Sequence, residues 1–256
     1  MDYNKLLDSI IVISQIAGNK ILEIYNSPDI DINIEIKNDL SPLTIADKSS
    51  NDIIINQLKS LTPNIPILSE EEKNVGFNYR KNWSEFWLVD PLDGTKEFIN
   101  KNGEFTVNIA LIKDNQSIMG VVYAPVLDKT WYGLKNYGSF IINKDKKPKQ
   151  LNLNKSKRDI TKIVSSRSHA NNPKLEEYIK QFKKYELIKM GSSIKMCLVA
   201  DGTAHCYPRF GPTMEWDTGA AHAVVKYAGG NIYNIETDKE LVYNKENLLN
   251  PEFIVQ

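Results

Sequence analysis

A chain of 256 residues with 32 Lys+Arg against 32 Asp+Glu carries no formal net charge at neutral pH, and 41% of its residues are apolar. That length buries a full core as one large domain or two packed halves, and the ordinary apolar and charged fractions exclude disordered and fibrous chains. The charge balance excludes a protein that grips a long nucleic acid, whose affinity comes from many Lys and Arg displacing counterions, but leaves room for a small anionic ligand.

Residues 1–5 lack the basic start of a signal peptide. Residues 4–26 then place Leu6, Leu7, Ile10, Ile13, Ala17, Ile21, Leu22 and Ile24 on one side at helical spacing, and Ser27-Pro28 stops the pattern. Ile30, Ile32, Ile34 and Ile36 alternate with polar residues, the period of a half-buried strand. A second helix spans 45–61 and ends at Thr62-Pro63-Asn64, ahead of a short strand at 65–68. Residues 86–89 form a continuously apolar strand, and 104–112 with 117–123 read as an antiparallel hairpin.

The Lys- and Asn-rich stretch 143–159 is the expected internal boundary, and its lysines read as a solvated loop. Beyond it come a strand at 163–165, a helix at 173–182 and a strand at 186–189. A helix opening at Gly191-Ser192-Ser193 and a last helix over 215–227, closed by Gly229-Gly230, complete the alternation. The pattern predicts an α/β chain with layered α+β character: an N-terminal α+β half over 1–143 and a C-terminal α/β half over 144–256, forming one compact unit. No apolar run approaches the roughly 20 residues of a membrane span. Two cysteines, Cys197 and Cys206, are too few for a disulfide framework and lack zinc-site spacing, which points to a reducing, cytoplasmic setting.

The most informative segment is Trp87-Leu88-Val89-Asp90-Pro91-Leu92-Asp93-Gly94-Thr95. A buried strand delivers two carboxylates onto a turn that Pro91 stiffens and where Gly94 admits close approach of a ligand. Carboxylates held that close repel, so either one stays protonated or a cation lies between them. An all-oxygen set favours a hard ion, Mg²⁺ or Mn²⁺, over zinc. Glu70, Glu71 and Glu72 after the 65–68 strand, Asp47 near the start of the second helix and Asp217 early in the last helix are further candidates. Glu71 and Glu72 read as solvated neighbours, Cys197 as core, His205 and His222 as packing or surface residues, and Trp87 and Trp216 as core wedges.

Asp90-Pro91-Leu92-Asp93-Gly94-Thr95 resembles the D-P-[IL]-D-G-[TS] signature of the inositol monophosphatase superfamily, and Trp216-Asp217-Thr218-Gly219-Ala220 its second signature, W-D-x-x-A. Gly219 stands where an alanine is common. Ser69-Glu70-Glu71, Asn102-Gly103-Glu104-Phe105-Thr106, Ser166-Arg167-Ser168-His169, Gly191-Ser192-Ser193-Ile194-Lys195 and Tyr207-Pro208-Arg209-Phe210 are similar to the bacterial 3'(2'),5'-bisphosphate nucleotidases of that superfamily. The resemblance covers essentially the whole chain and implies an αβαβα sandwich of alternating helix and sheet layers.

It further implies that Glu70, Asp90, Asp93, Asp217 and the carbonyl of Leu92 hold two or three Mg²⁺ ions, with Mn²⁺ as a substitute. Thr95, paired with Asp47, would orient and help deprotonate the attacking water, and the amides of Gly94 and Thr95 would bind the phosphate, which Glu70, Leu92, Asp93 and Asp217 also border. His169, Ser192, Lys195 and Arg209 are candidates for the base and the 5'-phosphate. The implied reaction removes the 3'-phosphate of adenosine 3',5'-bisphosphate to give AMP, in support of sulfate assimilation, with 3'-phosphoadenylyl sulfate as a second substrate and lithium as an inhibitor. Inositol-1-phosphate or fructose-1,6-bisphosphate hydrolysis is the alternative on the same acidic set, and a non-catalytic phosphometabolite-binding regulator the alternative of another class. The resemblance also allows peripheral association at the cytoplasmic face of the inner membrane.

Overall fold

Helix α1 (Tyr3–Tyr25) starts at Asp2, whose carboxylate accepts the amides of Asn4 and Lys5, and buries Leu6, Leu7, Ile10, Ile13, Ala17, Ile21 and Ile24 as one stripe. The computed structural model of the chain describes residues 1–27, 45–72, 75–145, 147–153, 159–167 and 172–256, together with the paired backbone of β1 (Glu35–Ile36) and β2 (Pro42–Leu43). Most of the strand expected over 30–36 lies outside the described residues. Helix α2 (Ile45–Leu61) packs beside α1 and buries Asp47, Ser50, Asn51, Ile54, Ile55 and Leu58, so its inner face is apolar toward its end and polar at its start.

Both helices cover one face of a seven-stranded sheet in sequential order: β3 (Ile67–Ser69), β4 (Glu85–Asp93), β5 (Thr106–Lys113), β6 (Gln116–Ala124), β7 (Lys129–Leu134), β8 (Gly138–Ile142) and β9 (Pro148–Leu151). Within this sheet, β3 and β4 pair in parallel and the other neighbours antiparallel. Short helices α3 (Phe77–Arg80) and α4 (Thr95–Ile99) flank β4. The strand expected at 86–89 is longer than read. It continues through Pro91 to Asp93, with a register shift against β5 between Asp90 and Asp93, so the two aspartates sit on an irregular strand end rather than on a free turn.

Alternation along the strands divides the core. Trp87, Val89, Val107, Ile109, Leu111 and Val121 pack under α1 and α2, whereas Phe86, Leu88, Ala110, Ile112 and Val122 face the second half of the chain. That half contains β10 (Thr161–Ser166), α5 (Pro173–Ile179), β11 (Tyr185–Met190), α6 (Ile194–Ala200), β12 (Tyr207–Arg209), α7 (Glu215–Tyr227), β13 (Ile232–Asn234) and β14 (Phe253–Val255). Helices α6 and α7 form the middle layer. Behind them, parallel β10–β11 and antiparallel β12–β14–β13 are joined by the bridge between Ile163 and Cys206. Helix α5 closes the stack through Leu175, which is buried, and through Tyr178 against Cys206 and Phe210. The layers therefore alternate as αβαβα. Among the described residues, no helix is long and apolar enough to cross a membrane.

Helix α7 lies unusually close to the sheet. A Cβ at Gly120 on β6 would stand 2.1 Å from the Ala220 carbonyl oxygen, and one at Gly133 on β7 would stand 2.5 Å from that of Ala223. Gly219 continues the same close contact, since a Cβ there would meet Leu88 at 2.8 Å.

His222 on α7 is a packing residue, fully buried, with Nδ1 2.8 Å from the Tyr243 hydroxyl and Nε2 2.8 Å from Asn231 Oδ1. An amide oxygen only accepts, so Nε2 carries a proton. Burial pushes its pKa down to about 4 from 6.5. The unfolded chain then binds the proton more readily, so stability is full above pH 6.5 and is lost as pH falls toward 4, by about 3 kcal/mol for this group alone. Urea titrations at pH 7 and pH 4.5 check this: the wild-type difference is expected to shrink by most of that amount in His222→Gln, and an unchanged difference would assign the acid sensitivity elsewhere.

Candidate active site

The local fold brings β3 and β4 side by side with their ends at one place. The Glu70 amide extends the parallel ladder by donating to the Val89 carbonyl, which sets Glu70 beside Asp90. Two side chains of α2 fasten this corner: Ser50 Oγ donates to the Pro91 carbonyl at 2.8 Å, and Asn51 Oδ1 accepts from Ser69 Oγ at 2.7 Å. Gly94 then takes φ +95°, and a Cβ there would lie 3.1 Å from the Glu104 carbonyl oxygen, so only glycine allows the chain to turn into α4 at Thr95. Asp217 arrives on the first turn of α7, with one carboxylate oxygen accepting the Met214 amide at 2.8 Å.

Glu70, Asp90 and Asp217 each place a carboxylate oxygen within 4.8 Å of the others. Asp90 is buried; one of its oxygens accepts the Leu92 amide at 3.1 Å, and the other has no hydrogen-bond partner. Burial, then the charges of Glu70, Asp93, Asp217 and Asp47, hold the Asp90 carboxyl well above the usual carboxylate range. Burial, then Asp93 and Glu70, do the same to Asp217. An orphaned buried oxygen amid mutually repelling carboxylates is the setting that a hard cation relieves, and the all-oxygen donor set fits such an ion.

The acidic corner opens on a cavity of about 270 Å³. Glu70, Asp90, Leu92, Asp93, Gly94 and Thr95 line it from the first half of the chain, and Ser192, Lys195, Arg209 and Asp217 from the second. Of the expected site residues, Asp47 is buried on α2 rather than on the cavity surface, and His169 lies outside the described residues. The cavity surface also includes Lys96, Glu97, Ser166, Ser193, Tyr207 and Thr213, to which the sequence alone assigned no role. Lys96 and Glu97 directly continue the Asp90–Thr95 motif, and Ser193 stands inside the Gly191–Lys195 segment, so proximity to those motifs was the available signal.

Asp93 joins the halves. One of its oxygens accepts from Ser192 Oγ at 2.6 Å and from the Ser193 amide at 2.5 Å. Ser192 sits at φ +56°, a conformation disfavoured for a residue with a side chain and held here by those bonds and by Thr106 Oγ1, 2.6 Å from its hydroxyl. Lys195 is buried, donates to the Ser192 carbonyl at 2.5 Å and lies 5.5 Å over the Tyr207 ring. Burial, opposed by Asp93 and reinforced by Arg209, pushes its pKa down to about 8. An anion in the cavity would favour the charged form. Arg209 is held by Nε donating to Thr213 Oγ1 at 2.8 Å and by Nη2 donating to the Pro212 carbonyl.

An acidic corner thus faces Lys195 and Arg209 across the junction of alternating helix and sheet layers. The model of the inositol monophosphatase family matches residues 2–253, and the chain belongs to that family; metal dependence is general within it. The chain is 45% identical over 233 residues to the 3'(2'),5'-bisphosphate nucleotidase CysQ of Buchnera aphidicola subsp. Acyrthosiphon pisum, covering 90% of this chain and 84% of the relative. To the protein of the same name in Escherichia coli strain K12 it is 42% identical over 251 residues, covering 98% and 99%. The crystal structure of CysQ from Bacteroides thetaiotaomicron superposes with a TM-score of 0.89 at 42% identity over 100% of this chain and 98% of that one. The suhB protein of Bartonella henselae, 20% identical with a TM-score of 0.79 over 98% of this chain and 93% of that one, shares the fold. The family expected from the two acidic motifs is the family found.

Proposed function

We propose that the chain is a Mg²⁺-dependent phosphatase that removes the 3'-phosphate of adenosine 3',5'-bisphosphate, giving AMP and phosphate. The observation that carries this reading is the buried, unpartnered Asp90 oxygen within the Glu70–Asp90–Asp217 cluster, facing the same cavity as Lys195 and Arg209. Relatives named 3'(2'),5'-bisphosphate nucleotidase at 42–45% identity support the choice of nucleotide.

Glu70, Asp90, Asp93, Asp217 and the Leu92 carbonyl would hold the Mg²⁺ ions. When bound, such ions supply the positive charge that lets a dianionic phosphate monoester accept a nucleophile and release its alcohol oxygen. The chain's own residues do the rest. The Gly94 and Thr95 amides, at the tight turn into α4, bind the phosphoryl oxygens. Thr95 orients the attacking water through its hydroxyl, and the water's proton passes by way of that hydroxyl to the Asp47 carboxylate. Ser192, Lys195 and Arg209 on the far wall hold the nucleoside and its 5'-phosphate, fixing the 3'-phosphate against the acidic corner; His169 is a further candidate for that role from the sequence.

Phosphate release from adenosine 3',5'-bisphosphate, inositol-1-phosphate and fructose-1,6-bisphosphate, with and without Mg²⁺, tests this. The nucleotide is expected to be the preferred substrate, the rate to vanish on chelation, and lithium at fixed Mg²⁺ to lower it. A preference for either other phosphate would reassign the substrate. Binding without Mg²⁺-dependent release from any of the three would favour a regulator.

A further inference from the structure

Glu104 stands outside the cavity wall yet touches three of the segments that build it. Its backbone carbonyl abuts Gly94 at the acidic corner. One carboxylate oxygen accepts the Gly191 amide at 2.7 Å and Arg167 Nε at 2.7 Å, and the other accepts Arg167 Nη2 at 2.5 Å. Gly191 opens the turn that carries Ser192 and Ser193, and Arg167 directly follows Ser166 at the end of β10, so both partners lead into second-half cavity residues. Gly191 lies close against both Glu97 and Glu104: a Cβ there would be 2.5 Å from Glu97 Cγ and 3.0 Å from the Glu104 carbonyl oxygen. Burial alone would raise the Glu104 carboxyl, but the Arg167 fork and the Gly191 amide outweigh it and hold the group below the ordinary range, ionised.

Two carboxylates therefore tie the second-half wall to the first half: Asp93, through Ser192 and Ser193, and Glu104, through Gly191 and Arg167. Asp93 also belongs to the acidic corner. Glu104 stands outside the Glu70–Asp90–Asp217 cluster and acts as a fixed strut.

The geometry points to Glu104 and Arg167 as positioning residues: their forked ion pair sets the reach of the Ser192–Ser193 turn and of Ser166 across the cavity, and so governs binding of the nucleoside side of the substrate without touching the reacting phosphate. This rests on the nucleotidase reading for the identity of that substrate.

Steady-state kinetics of the full chain with adenosine 3',5'-bisphosphate and with p-nitrophenyl phosphate, which lacks a nucleoside and a second anion, separate binding from chemistry. In Glu104→Gln and in Arg167→Met, KM for the bisphosphate is expected to rise about tenfold, the loss of one charge-assisted hydrogen bond. In both, kcat should stay within about threefold and p-nitrophenyl phosphate kinetics should hold. Arg167→Lys, which keeps the charge and loses the fork, should fall between, and the double variant should be no worse than the poorer single one. Equal losses of kcat on both substrates, or no change on either, would overturn the assignment. Arg167 is half exposed, so Arg167→Met decides the matter if Glu104→Gln does not fold. If the wild type instead prefers inositol-1-phosphate, the substrate reading fails and the same comparison, run with that ester, still tests the strut.

Discussion

Asp90→Asn is expected to lower turnover by at least about three powers of ten, because the several kcal/mol that a correctly held metal contributes to the transition state would be lost. The same change is expected to raise the stability of the metal-free chain by about 1–2 kcal/mol, since it removes one charge from a buried group of repelling carboxylates while keeping the side chain's shape. The sign follows from proton binding. With its carboxyl raised above the unfolded value, folded Asp90 binds a proton more tightly than the unfolded chain does. Metal-free stability therefore falls as pH rises from the ordinary carboxylate range through the raised value, and the Asn variant loses that part of the slope. Thermal melts in chelator across pH, beside phosphate-release rates, measure both effects. Near-normal turnover would remove Asp90 from the metal set, and a lower melting temperature at neutral pH would show that something other than carboxylate repulsion governs the stability of this corner.

The second large effect arises at a residue outside the cavity lining. Gly120→Ala should cost about 3 kcal/mol, at the upper end for overpacking, because the added Cβ would stand 2.1 Å from the Ala220 carbonyl oxygen and 2.7 Å from its carbon. Those atoms are helix backbone, so α7 must back away as a body. Asp217 rides on the same helix, and a displacement of about 1 Å there is expected to lower activity by about two powers of ten in whatever fraction stays folded. Gly76, the N-cap of α3 with no atom within 4 Å of its would-be Cβ, provides the control: Gly76→Ala should leave the rate unchanged and cost less than about 1 kcal/mol of stability. Urea unfolding with parallel assays reads out the result. A Gly120→Ala enzyme with unchanged stability would mean that the helix–sheet contact has slack; one that is destabilised but fully active would mean that Asp217 is placed by something other than α7's seat.

Much of the first half was legible because its signals are local. The apolar stripe of α1, the Thr62-Pro63-Asn64 stop of α2 and the β-rich runs of β5 and β6 are properties of consecutive residues. Expectation failed where elements are short or are made by partners distant in sequence. Three-residue strands such as β12, β13 and β14 contain too few side chains to display a period, and they exist because each pairs with another that arrives from elsewhere in the chain. The local pattern does not single out β7, β8 or β9, although they extend the sheet to Leu151. Pro91 signals a break after Val89, whereas irregular pairing with Thr106 carries β4 on to Asp93.

By itself the sequence determined the chemistry available to this protein: carboxylates at Asp90, Asp93, Glu70 and Asp217, set in motifs specific enough to identify the family. Side-chain type and close spacing are local facts, and for the Asp90–Asp93 pair they call for a shared proton or a bound cation. Only the tertiary structure decided which groups converge on that pair. Asp217 reaches Asp90 because glycines on β6 and β7 let α7 lie flat on the sheet, and the Ser192–Lys195 wall stands opposite because Asp93 and Glu104 bind its turn across 87–100 residues of chain. Such contacts depend on packing distances between elements, which no local pattern encodes, so the strut at Glu104 and the strained backbone of Ser192 emerge only once the layers are assembled.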